Sequence, residues 1–218
     1  MSTLAELRQQ VRDYTSIKST SVLPDAEVDR FINSAHSFLL TTADWPMLRE
    51  TVSWLHTGGS PTHDLSAQVP VAYRVIDVFA QESAGGNPRQ LNFRDTPLMS
   101  QSRTGAPREF SWDQFASNIT LFPTPSKDVL MTGVFVVEPA ELVNDSDTTQ
   151  FPARFAQAVS LLASARILER EGDGSDRGQS YELRAFQTVE QAKRMLLTPA
   201  SRTVSLGSRK TRGRGVRR

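Results

Sequence analysis

Val22-Leu-Pro-Asp-Ala-Glu-Val-Asp-Arg-Phe-Ile-Asn-Ser-Ala-His-Ser-Phe-Leu39 decides how the rest of the chain is read. Pro24 suits a first helical turn, where the N–H it lacks has no intrahelical partner anyway. Asp25, Glu27 and Asp29 stand where the positive end of the helix dipole favours anions. Val28, Phe31, Ile32, Ala35, Phe38 and Leu39 then fall at helical spacing, so one apolar stripe runs to about Thr41. Three more helical patterns offer partners for that stripe. Thr3-Leu-Ala-Glu6 is a capping-box sequence with Leu4, Leu7, Val11 and Tyr14 behind it. After Phe151-Pro152, the residues Phe155, Val159, Leu162, Ala163, Ala165 and Ile167 carry a helix through Arg170. Its many Ala and Ser positions would let a neighbouring helix approach closely. The last pattern, over 178–197, has Tyr181, Leu183, Phe186, Val189, Ala192, Met195 and Leu196 as its stripe and ends before Pro199.

Between the second and third helices the pattern changes to short runs punctuated by Gly and Pro. Strands are predicted over 51–56, 62–66, 73–79, 110–113, 118–122 and 129–137. Gly58-Gly-Ser-Pro61, Gly85-Gly-Asn-Pro88 and Thr124-Pro-Ser126 supply turns. Segment 93–107 is long and irregular, which suggests a contact loop or an excursion. The expected class is α+β: a four-helix bundle built from an N-terminal and a C-terminal helical hairpin, with a β-rich middle insertion and an extended C-terminal arm. In residue ranges, 1–49 and 150–198 form the bundle, 50–149 the insertion and 199–218 the arm.

Composition narrows the function. There is no cysteine, which excludes disulfides, thiolate metal sites and cysteine nucleophiles. The start of the chain lacks the basic and apolar regions of a signal peptide, and its longest apolar runs are too short to span a bilayer. A soluble protein of a reducing compartment is expected, with no membrane partner. The three histidines, His36, His56 and His63, read as solvated helix and turn residues. No HExxH, GxSxG, GxxxxGK[ST] or GxGxxG motif occurs, so no catalysis, metal or other cofactor is expected. Asn144-Asp-Ser-Asp147 reads as an Asx turn leading into the third helix, because no calcium-loop spacing continues beyond it.

The charge is divided along the chain. Segment 199–218 holds Arg202, Arg209, Lys210, Arg212, Arg214, Arg217 and Arg218 and no acid. Removing those seven from 25 basic residues leaves 18 against 24 acids, so the body is −6 and the arm +7 within a net charge of +1. A block of like charge repels itself and builds no core, so it reads as an arm awaiting a partner. Fully extended, it reaches about 65 Å. Two readings stand. One is a basic tail binding nucleic acid through phosphates, although it lacks the aromatics that base stacking needs. The other is a docking arm, in which Val204 and Leu206 alternate with polar residues and could add a strand to a partner's sheet edge, while the basic end pairs with that partner's acids.

The order of the motifs resembles the head-to-tail adaptor proteins of short-tailed bacteriophages. Leu4-Ala-Glu-Leu-Arg8 is followed by a helix of the form D-x-E-[IV]-x-x-[FW]-[IL]-N-x-A at Asp25–Ala35. Then come Gly105-Ala-Pro107, Asn118-Ile-Thr-Leu-Phe-Pro-Thr-Pro125, Asn144-Asp-Ser-Asp147 and Phe151-Pro-Ala-Arg-Phe155. The resemblance implies a structural virion protein with no chemistry. It would form a homo-oligomeric ring, usually a dodecamer, joining the portal protein to the tail nozzle at the head–tail junction and enclosing the channel through which genomic DNA leaves. It would assemble in the host cytoplasm. By the same resemblance the arm, with Arg202, Val204, Leu206, Arg209, Lys210, Arg212, Arg214, Arg217 and Arg218, docks into the portal. An acidic lining would let phosphate slide past.

Overall fold

The computed structural model describes residues 1–69, 72–82, 86–94, 103–171 and 175–197. These contain four α-helices: α1 (Leu4–Thr15), α2 (Asp25–Thr41), α3 (Ala153–Glu171) and α4 (Ser175–Leu196). They also contain eight strands: β1 (Arg49–His56), β2 (Thr62–Asp64), β3 (Ala72–Gln81), β4 (Arg89–Gln90), β5 (Asn92–Phe93), β6 (Glu109–Asp113), β7 (Asn118–Phe122) and β8 (Val129–Val137). The capping box forms as read. The Thr3 hydroxyl accepts the Glu6 N–H, and the Glu6 carboxylate accepts the Thr3 N–H.

A mainly helical four-helix bundle of two hairpins is not what the chain builds. The strands make two four-stranded sheets, ordered β1-β8-β3-β4 and β2-β7-β6-β5, with every pair antiparallel except β5–β6. They are a sizeable part of the architecture beside the helices. In the helical part α1, α2 and α4 all pack on α3, while α1 and α2 touch only lightly. The physical reason lies in α3 itself. From Ala158 to Ala165 every residue is buried, so the helix has no single apolar stripe and takes neighbours on all sides. Gly178 of α4 comes close to α3, where an added Cβ would lie 3.4 Å from the Ala165 carbonyl oxygen.

Two cores result. One joins Leu4, Leu7, Val28, Ile32 and Leu39 to Trp45, Phe151, Val159 and Leu162. The other fills the space between the sheets with Trp54, Val78, Phe110, Ile119, Met131 and Phe135. Val136 of β8 faces the helical core while Phe135 and Val137 face the sandwich, so the alternation of one central strand ties the two together. β4 and β5 were not among the predicted strands, since two residues each are too few to show alternation. The helix read over 178–197 begins earlier, at Ser175.

Candidate functional site

The nine arm residues singled out above (Arg202, Val204, Leu206, Arg209, Lys210, Arg212, Arg214, Arg217 and Arg218) lie outside the described residues. So do the Gly85 and Pro199 turn signals. Of the motif residues of the body, those of α1, α2, Asn144–Asp147 and Phe151 meet at one joint, whereas Gly105–Pro107 and Asn118–Pro125 lie in and beside the second sheet. The strap between β8 and α3, residues 138–152, lies across α1 and α2. Asn33 of α2 grips it reciprocally: its amide donates to the Leu142 carbonyl oxygen and its side-chain oxygen accepts the Leu142 N–H, both at 2.9 Å. A helix-borne amide thereby replaces the strand neighbour that an isolated strap residue lacks.

The acids of Asn144-Asp-Ser-Asp147 serve the same joint. Asp147 accepts the N–H groups of Val143 (2.8 Å) and Asn144 (2.7 Å), and these bonds hold its carboxyl below the usual range. The Asp147 and Asp145 carbonyls accept the N–H groups of Leu4 (2.8 Å) and Ala5 (3.2 Å), two of the donors that a helix start leaves open. Arg8 of α1 completes the tie, donating from Nε and Nη2 to the two Asp29 oxygens at 2.8 and 2.9 Å and reaching Asp145 at 3.1 Å. Bonding to Asp29 raises the Arg8 pKa, so the group stays cationic. Arg12 reaches the Leu23 carbonyl at 2.9 Å and pairs with Asp25. These acids are thus bonded to backbone and arginine. Among the described residues no group of three or more His, Asp or Glu comes together to hold a metal.

The histidine reading needs correction. His36 and His56 are buried, with 1% and 0% exposure, and are not solvated residues. His36 Nε2 accepts the Gln150 N–H at 3.4 Å, and desolvation pushes its pKa down to about 4. A signal existed: His36 stands four residues after Ile32 and so shares its inward face. His56 Nε2 lies 2.8 Å from the Ser60 carbonyl oxygen, which closes the turn between β1 and β2.

On the outer side of the α2–α3 pair, arginines lie over phenylalanine rings. Arg166 sits 5.2 Å from the Phe38 centroid and donates to Ser34 Oγ at 2.7 Å. Arg170 sits 5.4 Å from the Phe31 centroid and pairs with Glu27, whose carboxyl it holds below the usual range. Nothing in this arrangement offers a nucleophile beside a base. What it offers is a scaffold with a charged, aromatic surface.

The model of the family described as SU10 adaptor protein matches residues 2–212, nearly the whole chain. The chain belongs to the SU10 adaptor protein family. The resemblance read from the motif order therefore holds. The chain is a phage head-to-tail adaptor, a structural protein of the virion's head–tail junction that associates with portal and tail components. No curated protein matches the adaptor's sequence. No helix among the adaptor's described residues is long and apolar enough to cross a membrane.

Proposed function

We propose that the chain is one protomer of a homo-oligomeric ring, a dodecamer, that stands between the portal and the tail nozzle and encloses the channel for genomic DNA. The division of charge carries this reading: a body of −6 beside an arm of +7. In a ring, each arm 199–218 docks into the portal. Val204 and Leu206 supply apolar contacts, and Arg202, Arg209, Lys210, Arg212, Arg214, Arg217 and Arg218 pair with portal acids. Many modest contacts then act together by effective concentration. The acidic body weakens the grip of the channel on passing phosphate. The helical residues 1–49 and 150–198 and the β-rich residues 50–149 act as separate working parts, and the ring assembles in the host cytoplasm.

Removing 199–218 is expected to leave a folded body, with an unchanged melting temperature, that no longer binds assembled portal in a co-sedimentation assay. Undiminished binding would refute the arm's role. Salt should weaken the wild-type contact, since exposed charge pairs are screened within about 8 Å at physiological ionic strength. The second reading, a nucleic-acid-binding protein with an Arg/Gly-rich tail, rests on the same seven bases. Arm-dependent binding of a DNA duplex that outlasts portal competition would favour it.

A further inference from the structure

We infer that copies of the chain join through Phe115, at the tip of the β6–β7 hairpin of one copy, seated in an uncharged groove on the outer face of the β1-β8-β3-β4 sheet of the next. This contact rests on the ring reading and deepens it, since it names where neighbouring copies meet. Phe115 is 100% exposed. Its turn is tied down: Asp113 Oδ1 accepts the N–H groups of Phe115 (3.0 Å) and Ala116 (3.2 Å). Ser117 takes a φ of 51°, and its carbonyl oxygen accepts the Leu65 N–H at 2.9 Å. A bonded turn thus holds an aromatic ring out in water, where burial against a partner gains most.

The groove, of about 390 Å³, is lined by Phe79, Gln81, Pro88, Leu130 and Thr132. None of these side chains is charged. The register sets Leu55 and Gln81 on either side of Leu130, and Ser53 and Phe79 on either side of Thr132. Leu55 and Leu130 are 60% and 43% exposed, and two leucines side by side on a solvent face break the polar-out alternation of an uncovered sheet. An uncharged lining selects an uncharged guest. The seven bases of the arm find no acid in it, and the phosphates of a nucleic acid find no base.

The same copy cannot supply the ring. Met131 and Phe135 of β8 face the second sheet across the core shared with Ile119, so Leu130 and Thr132 face away from it. The first sheet therefore stands between the groove and the second sheet. The links 57–61 and 123–128 join the Leu130 end of the first sheet to Thr62 of β2 and Phe122 of β7, whereas the hairpin tip lies at the other end of β7. Knob and groove are thus different surfaces of one protomer. A contact between them is heterologous, passing from copy to copy, and its repetition closes into a ring where the rotation allows.

The test uses the absence of cysteine, which lets a reporter pair be placed without background. Ala116→Cys lies beside Phe115 and Ser53→Cys beside Thr132, both at exposed positions. The two full-length variants, one tagged so that mixed dimers are resolved, are joined with a flexible bis-maleimide, alone and on assembled portal. The control pairs Ala116→Cys with Val143→Cys, at a position 70% exposed elsewhere on the surface. Mixed dimers are expected roughly tenfold above that control, and to fall to its level when Phe115→Ser is added to the first partner or Leu130→Asp to the second. Both added substitutions are at exposed positions, and unchanged thermal melts show that the fold is intact. Mixed dimers at the control level overturn the proposal, as does an excess that survives either substitution. Sedimentation separates this contact from the ring itself. Wild-type rings that persist in Phe115→Ser overturn the contact and leave the ring reading standing, whereas a wild type that binds portal only as a monomer defeats both.

Discussion

His36 shows how one side chain makes stability depend on pH. Its folded pKa, about 4, lies below the ordinary value of 6.5. Between these values the unfolded chain binds a proton that the folded chain refuses, so stability falls as pH drops from 6.5 to 4 and this contribution stops changing below that. The full effect is about 3 kcal/mol. Urea titrations across that window should show the loss in the wild type and a shallower one in His36→Phe. Asn33 makes a different prediction. Asn33→Ala strands both the donor and the acceptor of Leu142 and should cost about 1–3 kcal/mol by chemical denaturation. Asn33→Asp keeps an acceptor for the Leu142 N–H but offers no donor to its carbonyl, and should fall between. In the sequence Asn33 is visible only as part of a motif, because its partner is a backbone group 109 residues away.

The elements were legible where local rules govern them. The capping box fixed the start of α1, and β7 and β8 have the bounds expected from their alternation and their flanking turns. The bundle arrangement was not legible, since a stripe argument assigns each helix one buried face and α3 has none to prefer. The short β4 and β5 escaped because they are defined by their neighbours. The exposed Leu55–Leu130 pair left one trace: Leu55 is apolar at an outward position, yet a single such residue is common and only the register sets Leu130 beside it. Gly58, in the turn between β1 and β2, tests the packing of these elements. A Cβ there would sit 2.7 Å from the Lys127 backbone, which cannot rotate aside. Gly58→Ala should therefore cost about 1–3 kcal/mol, seen as a lower melting temperature with the sandwich affected first in hydrogen exchange.

Taken together, the chain divides its labour between a body that folds by burying its own surface and a terminus with nothing to bury. It is legible as an adaptor because its motifs stand in order along the chain, from α1 and α2 through β7 to the strap and the start of α3. The position of α3 also bears on synthesis. Ribosomes release the chain from the N-terminus, so α1 and α2 emerge long before the helix that covers them. For more than a hundred residues of translation α3 is missing from their core, and the two touch each other only lightly. A fragment stopped at residue 150 is accordingly expected to be captured by chaperones or to precipitate, whereas one ending at 198 stays in solution. Pelleting of the two products from a cell-free translation would show the difference. A nascent adaptor thus carries uncovered apolar stripes until nearly all of it has left the exit tunnel.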